Sequence, residues 1–504
     1  MPVFAAVDIG SNSVRLSIAE LRNGRLSPLH QDREVTRLGE GVFHNGSLDP
    51  QAMAHTLKVL RRFHRATQSY AVERTRVVAT SAMRDSRNAA VFSEWVKSAT
   101  GWRVEVITGF EEGRLIHLGV VANLRARPAE LLLIDLGGGS CELTLSERGH
   151  VRDIVSLPLG AVRLTQEFLR KDPPDANELK RLHKYIDEET ARLPRQIVRN
   201  EGGVAVATSG TAAALAAAAQ SLKLARSIVT QDAAAKLAKR LARLSTRQRA
   251  AIKGINAKRA EIIVAGAAVY ARLLETCHLR GFRYSPLGLR DGILMQMAAE
   301  YDSRSRSHRQ LESDRQDVLM SLSRRYHADT ANAEQVRNLA LSLFDQTRPV
   351  HRLSKEFREY INVAATLYEV GNYINAVGRH RHTHYIISHS ELFGFNPLQR
   401  QAIATIARFQ GNSRPQLRDR LIKLLPPHLR ADVIKATALL RIARALNQGR
   451  RGAVQAIRAQ SRDGEVTVAL TASRGGADLE LWAAEKEIPY FREVFGRELA
   501  FKLG

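Results

Sequence analysis

The stretch LLLIDLGGGSCEL (131–143) is an apolar run that reaches Asp135, one more leucine, and then three glycines. FAAVDIGSNSVRL (4–16) repeats the order: apolar strand, Asp, apolar residue, Gly, two small or flexible residues, Ser, two more, Leu. Asp8 matches Asp135, Gly10 matches Gly137, Ser13 matches Ser140 and Leu16 matches Leu143. Glycines let a backbone approach a ligand closely, and successive N–H groups form an anion-binding nest. Ser11, Asn12 and Ser13 supply one such nest, and Gly137, Gly138, Gly139 and Ser140 the other. The strand-end carboxylates Asp8 and Asp135 suit a hydrated Mg²⁺ that neutralises phosphate. A single Asp-x-Gly turn is a common structural feature. Two of them, at matched places in two similar halves, predict hairpins that clamp a phosphate chain from both sides.

Working outward, residues 1–125 alternate strands with helices. VFAAVDIG and VRLSIAEL read as strands, PQAMAHTLKVLRRFHRAT (50–67) as an amphipathic helix, RTRVVATSA (74–82) as a buried strand, NAAVFSEWVKSAT (88–100) as a helix and WRVEVIT (102–108) as a strand. Residues 126–301 repeat the scheme and close on the helix LGLRDGILMQMAAEY (287–301). This is an α/β pattern written twice. The polar, Ser- and Arg-rich stretch 302–316 reads as a linker. Residues 317–460 read as helical. The segment 461–504 reads as a small α+β piece, with EVTVALTA (465–472) and DLELWAA (478–484) as strands and a helix around YFREVFG (490–496).

A chain of 504 residues is too long for one core. No apolar run approaches the ~20 residues of a membrane span, and the N-terminus opens directly on a strand, so neither membrane nor secretion is expected. Two cysteines, Cys141 and Cys277, do not make a disulfide framework, and a cytoplasmic location is the expectation. Cys141 has no neighbouring base in sequence and reads as a small side chain that fits. The net charge of +25 favours polyanionic partners, or reflects a simple preference for arginine. Between Arg408 and Arg462 there are 13 Lys/Arg against 2 Asp/Glu, a local net of +11. Aromatics are scarce there, which argues against a stacking platform for nucleic acid.

Further strings stand in a recognisable order: DIGSNSVRL, VATSAMRDSRN, TGFEEGRLIHLGV, LLLIDLGGGSCEL, LPLGAVRLT, TSGT and PLGLRDGIL. Together they resemble the exopolyphosphatase/guanosine pentaphosphate phosphohydrolase (Ppx/GppA) family of the actin, sugar kinase and Hsp70 superfamily. The resemblance implies two actin-like (ribonuclease H-like) domains followed by an all-α, HD-like domain. It also implies a water-activating glutamate in TGFEEGRLIHL. Adjacent helical residues lie about 100° apart, so Glu111 and Glu112 cannot both face one substrate. Thr108 and Glu111 fit a capping box, which leaves Glu112 for the cleft; the family's glutamate is the second of the pair. Glu111 stays the alternative. The resemblance makes Arg84 a phosphate contact and Glu142 a ligand of the metal or of its water. Asp135 is the expected Mg²⁺ ligand with Asp8 assisting. Ser209, Gly210 and Thr211, between a strand and an Ala-rich helix, offer one more anion site.

The expected activity is Mg²⁺-dependent release of orthophosphate from the ends of inorganic polyphosphate, with Mn²⁺ and a monovalent cation such as K⁺ as further candidates. The alternative substrate is pppGpp. A sugar-kinase-like phosphotransferase would need an adenosine pocket and a sugar-binding base that the sequence does not display. A non-catalytic polyanion sensor would have little use for Glu112, Asp8 and Asp135 together. The resemblance also carries the expectation of a homodimer. In the helical half, Tyr368-Glu369 stands where an HD domain has its His-Asp pair, so a second metal centre is not expected there. His380, His382, His384 and His389, beside Arg379 and Arg381, read as a solvated or phosphate-facing set.

Overall fold

Strand β1 (Val3–Ile9) is covered on both faces, which is why it reads as a continuous apolar run. Ala5, Val7 and Ile9 point to one side, into a core with Leu60 and Phe63 of the helix Pro50–Ser69. Phe4 and Ala6 point to the other, against Leu115, Ile293 and Met297. β2 (Val14–Arg22) pairs antiparallel with β1, β3 (Arg25–Glu34) antiparallel with β2, and β4 (Arg74–Ala79) parallel with β1; β5 (Val104–Val106) completes the order β3-β2-β1-β4-β5. This is a computed structural model, and it describes residues 1–124, 128–198, 203–302, 306–392, 394–462 and 464–503.

The second half writes the same sheet again. β6 (Glu130–Leu136), β7 (Cys141–Glu147) and β8 (His150–Leu157) form the antiparallel side, and β9 (Val204–Thr208) runs parallel to β6. β10 (Val229–Thr230) and β11 (Gly281–Tyr284) extend it to the order β10-β11-β9-β6-β7-β8. The register makes the repeat explicit: Asp8 faces Arg15 across its hairpin, and Asp135 faces Glu142 across the other. The helix Gly109–Val121 belongs to both halves. Its Leu115 joins the core under β1, while Ile116 and Val120 pack on Leu131 and Leu133 of β6. It is therefore buried almost all round, and its first turn is held between the two sheets. The α/β pattern that the sequence writes twice is the fold observed.

The chain divides into two units, Met1–Glu312 and Ser313–Gly504. The second has its own core, in which Val336, Leu339, Ile361, Ala364, Ile403, Ile406, Leu439 and Leu440 are buried between the helices Thr330–Gln346, Lys355–Leu367, Pro397–Arg408 and Pro427–Ala445. A sheet of order β12-β13-β14 packs on it, with strands Val454–Arg462, Glu465–Ala472 and Glu498–Leu503. Three readings change here. Of the expected linker 302–316, residues 303–305 lie outside the described residues, and a helix runs from Arg306 to Arg325. DLELWAA is helical, within Asp478–Glu485: its buried residues Glu480, Ala483 and Ala484 follow the helical spacing of three and four, and the alternation in the string is incidental. β12 was read as helix because an irregularity at Val454–Ala456 breaks its period of two. No described helix is long and apolar enough to cross a membrane.

Candidate active site

The two turns share one internal hydrogen bond: Gly10 N donates to Ser13 O at 3.1 Å, and Gly137 N to Ser140 O at 3.0 Å. Around them the carbonyls are tied back. Gly39 N and Arg37 N donate to Ser11 O and Asn12 O. Ala161 N and Val162 N, at the start of the helix Ala161–Phe168, donate to Gly137 O and Gly138 O. The amides of Ser11, Asn12 and Ser13, and of Gly138, Gly139 and Ser140, donate to no group among the described residues. Each turn thus presents N–H groups with its oxygens turned away, which is the arrangement an anion requires. The turns also touch. A Cβ on Gly139 would lie 2.3 Å from Ser81 Oγ, so that position has no room for a side chain, and one on Gly138 would lie a tight 3.1 Å from Ser11 Cβ. The Ser11 hydroxyl is buried without a partner.

The adjacent glutamates part company. Thr108 caps the helix by accepting from Glu111 N at 3.2 Å. The Glu111 carboxylate takes both Arg114 Nε and Nη2 at 2.7 Å, and that guanidinium, 1% exposed, also reaches Gln296. Glu112 turns into the cleft. Its carboxylate has Arg84 Nη1 at 3.4 Å, and one oxygen each from Glu112, Asp135 and Glu142 lie within 4.8 Å of one another. Asp135 accepts from Thr208 Oγ1, and Glu142 from Ser156 Oγ at 2.7 Å. Asp8 stands outside this trio, although Glu112 and Asp135 both feel its charge.

Burial raises all four carboxylates, and repulsion from neighbouring carboxylates adds to it at Glu112, Glu142 and Asp135. Glu112 lies well above the usual carboxylate range, first through burial and then through Glu142. Glu142 is pushed up to about 7, by burial and then by Asp135. Burial also raises Asp135 and Asp8, against the opposing field of Arg15. Such a group of converging carboxylate oxygens suits a hard divalent cation, whose charge would offset the repulsion. Cys141 is fully buried and its thiol is held well above its ordinary pKa by burial and then by Glu142, so it is inert.

Arg84 spans the cleft. Nη1 donates to Ile107 O at 2.9 Å, and Nη2 reaches Ser140 Oγ at 3.4 Å. Its neighbour Asp85 pairs with Arg163 instead. Thr208 precedes the helix Ser209–Ser221; Ser209, at φ 79°, donates Oγ to Leu136 O at 2.7 Å, and Thr211 Oγ1 accepts from Arg259 Nη1 at 3.4 Å. A Cβ on Gly210 would lie 2.2 Å from Arg259 Nη2.

Arg259 belongs to a group that the sequence reading missed. Arg15, Arg33, Arg259 and Arg290 stand in one another's field, and none forms an ion pair with a carboxylate among the described residues. Arg259 is lowered to about 9, by burial and then by Arg33 and Arg15. Burial lowers Arg290, which donates to Leu16 O and Ser17 Oγ. One signal was available: Arg15 is a charged residue inside the otherwise buried strand VRLSIAEL. The two hairpins thus share a backbone and differ in charge. Opposite its aspartate, the first carries Arg15 and the second Glu142.

In the second unit, Tyr368 OH and Glu369 Oε2 both accept from Asn332 Nδ2, at 2.7 and 2.9 Å, and Glu369 also pairs with Arg450. His384 Nε2 is 3.1 Å from Gln401 Nε2, His389 Nδ1 is 2.8 Å from Tyr385 O, and His380 lies against Gly411. Several cations of the +11 stretch have structural partners. Arg441 pairs with Glu487 and donates to Phe409 O and Gly411 O, and Arg430 donates to Leu425 O and Lys423 O. Burial, then neighbouring arginines, lowers His380 and His384 to about 4. Their unfolded value is near 6.5. The unfolded chain therefore binds more protons between pH 6.5 and 4, and stability present above that window is lost as pH falls through it. The expected result is a melting temperature for the second unit's transition that drops between pH 7 and 5. A His380→Asn/His384→Asn variant should show a shallower drop, and one as steep as wild type would refute the assignment.

A family model described as Ppx/GppA phosphatase family matches residues 17–301, and one described as Ppx/GppA phosphatase, domain III matches residues 315–480. Among solved structures, the Aquifex aeolicus member of the Ppx/GppA family is 31% identical at a TM-score of 0.51, over 60% of this chain and 99% of its own. An exopolyphosphatase from Cytophaga hutchinsonii is 26% identical at 0.55, over 59% of this chain and 97% of its own. An exopolyphosphatase-like protein is 28% identical at 0.55, over 59% and 97%. With more than half its length matched by the family model, the chain belongs to the Ppx/GppA phosphatase family.

Proposed function

We propose that the protein is an exopolyphosphatase that releases orthophosphate from the ends of inorganic polyphosphate. The observation that carries this reading is Glu112 beside Asp135 and Glu142, with Arg84 reaching both Glu112 and Ser140 of the second turn. Hydrolysis of a phosphoanhydride needs an in-line water and charge neutralisation, and little covalent help from the protein. The amides of Gly138–Ser140 and Ser11–Ser13 bind the terminal phosphates, and Arg84 neutralises a terminal oxygen. Water attacks the terminal phosphorus, the bridging P–O bond breaks, and the shortened chain leaves with the bridging oxygen. Glu112 takes the proton of that water; its raised pKa makes it a stronger base than an ordinary carboxylate. Asp135 and Glu142 would hold Mg²⁺, which supplies charge neutralisation when bound.

A second reading, hydrolysis of pppGpp to ppGpp, is compatible with the arginines at 15, 33, 259 and 290. Cations without carboxylate partners among the described residues suit a second polyanionic group, whether the continuing polyphosphate or the 3′-diphosphate of a nucleotide. The homodimer and the cytoplasmic location remain part of the proposal. Phosphate release measured in parallel on long polyphosphate, pppGpp and ATP tests both readings; turnover of ATP alone would overturn them. Asp135→Asn is expected to raise the Mg²⁺ concentration for half-maximal activity at least tenfold, and an unchanged titration removes Asp135 from the metal site.

A further inference from the structure

Arg163 lies outside the carboxylate cluster, yet it holds both walls of the cleft. Its Nε donates to Gly139 O at 2.7 Å. With Ala161 N and Val162 N on Gly137 O and Gly138 O, this completes the set of turned-back carbonyls behind the second phosphate turn. Gly139 O is the one oxygen of the three glycines that a side chain, and not the backbone, restrains. The neighbouring nitrogen of the same guanidinium reaches across to the first half. Nη2 pairs with Asp85 and lies 3.4 Å from Ser81 Oγ. The guanidinium also lies over the Phe43 ring, 4.0 Å from its centroid. Ser81 and Asp85 bracket the helix Ser81–Arg84, and Ser81 Oγ donates to Asp85 Oδ2 at 3.2 Å.

The consequence follows from the chain order. Arg84, which reaches Glu112 and Ser140, immediately precedes Asp85, which Arg163 holds. One planar cation therefore sets where the glycine turn stands and where the Arg84 backbone stands. We propose that Arg163 is a positioning residue that fixes the separation between Arg84 and the 137–140 turn, and so the span across which a terminal phosphate is gripped. It touches no reacting group. A planar fork can bond Gly139 O through Nε and Asp85 through Nη2 while its face covers Phe43; a lysine cannot do all three. This rests on the reading that Arg84 and the second turn bind phosphate.

The test is steady-state hydrolysis of inorganic tripolyphosphate and pppGpp by wild type, Arg163→Ala, Arg163→Lys and Asp85→Asn, with thermal melting of each. Misplacing a binding group by about 1 Å costs about 10²-fold in rate. Arg163→Ala is expected to lower kcat by about that factor with a smaller change in KM, and millimolar guanidinium should restore at least a tenth of the loss. Arg163→Lys should stay low. Asp85→Asn, which keeps the bond to Gly139 O, should lose less. If Arg163→Ala does not fold, Asp85→Asn alone decides: a kcat within threefold of wild type overturns the proposal. Loss without guanidinium rescue, accompanied by a lower melting temperature, would assign Arg163 a purely structural role and overturn it too. Should wild type be inert on both substrates and on long polyphosphate, the functional reading fails by itself. Hydrogen exchange then decides: Arg163→Ala must speed exchange in 81–88 and 137–143 together, and unchanged exchange in either segment refutes the clamp.

Discussion

Glu112→Gln is expected to lower turnover of polyphosphate by about 10²–10⁴-fold, the usual worth of a positioned base. Substrate affinity should change little, because the amides of the turns and Arg84 remain. The fold should not suffer either. Glu112 is held above the normal carboxylate range by burial and by Glu142, and its only described ion pair is the 3.4 Å contact with Arg84. A neutral amide of the same shape removes a buried charge from a crowded site. Melting temperature is therefore expected to stay level or rise, while phosphate release collapses. A variant that loses turnover and stability together would show that Glu112 organises the site instead of working in it. A variant that keeps more than a tenth of wild-type turnover would move the base elsewhere.

Much of this was open to a reader of the sequence, and the reasons differ from residue to residue. The two phosphate turns were legible because local geometry dictates them: a strand-end aspartate, a close approach that excludes a side chain at Gly139, and a serine carbonyl to close the turn. The choice between Glu111 and Glu112 was legible because Thr108 fixes the helix start and neighbouring residues must diverge. The arginine group was not. Arg15 and Arg259 stand 244 positions apart, and only the packing of the two halves brings them together. The carboxylate trio was half legible. Asp135 was read from its hairpin and Glu142 from the family resemblance, but the inclusion of Glu112 in place of Asp8 depends on how the helix Gly109–Val121 is wedged between the sheets. In the second unit a net of +11 counts all its cations alike, yet Arg441 is buried on Glu487 and backbone carbonyls, and Arg430 closes a turn. Composition reports how many cations there are, and only structure reports how many are already used.

The counterpart of the Glu112 experiment is Glu111→Gln, where the expectation reverses. A capping glutamate at a helix start is worth about 0.5–2 kcal/mol. Glu111 does more than occupy the third helical position. It neutralises Arg114, a guanidinium 1% exposed and enclosed between Gln296 and the body of the first unit, through two hydrogen bonds of 2.7 Å. Breaking a buried ion pair by removing one partner costs about 3–5 kcal/mol. Arg76, 3.8 Å from Glu111, would lose a carboxylate neighbour as well. The unfolding midpoint of the first unit in urea should fall accordingly. An Arg114→Met/Glu111→Gln double variant should recover most of the loss, because it removes the buried guanidinium together with its carboxylate. At a temperature where Glu111→Gln is still folded, turnover is expected within about tenfold of wild type, since Glu112 keeps its place facing Arg84. If Glu111→Gln is instead as stable as wild type and inactive, the two glutamates have exchanged roles.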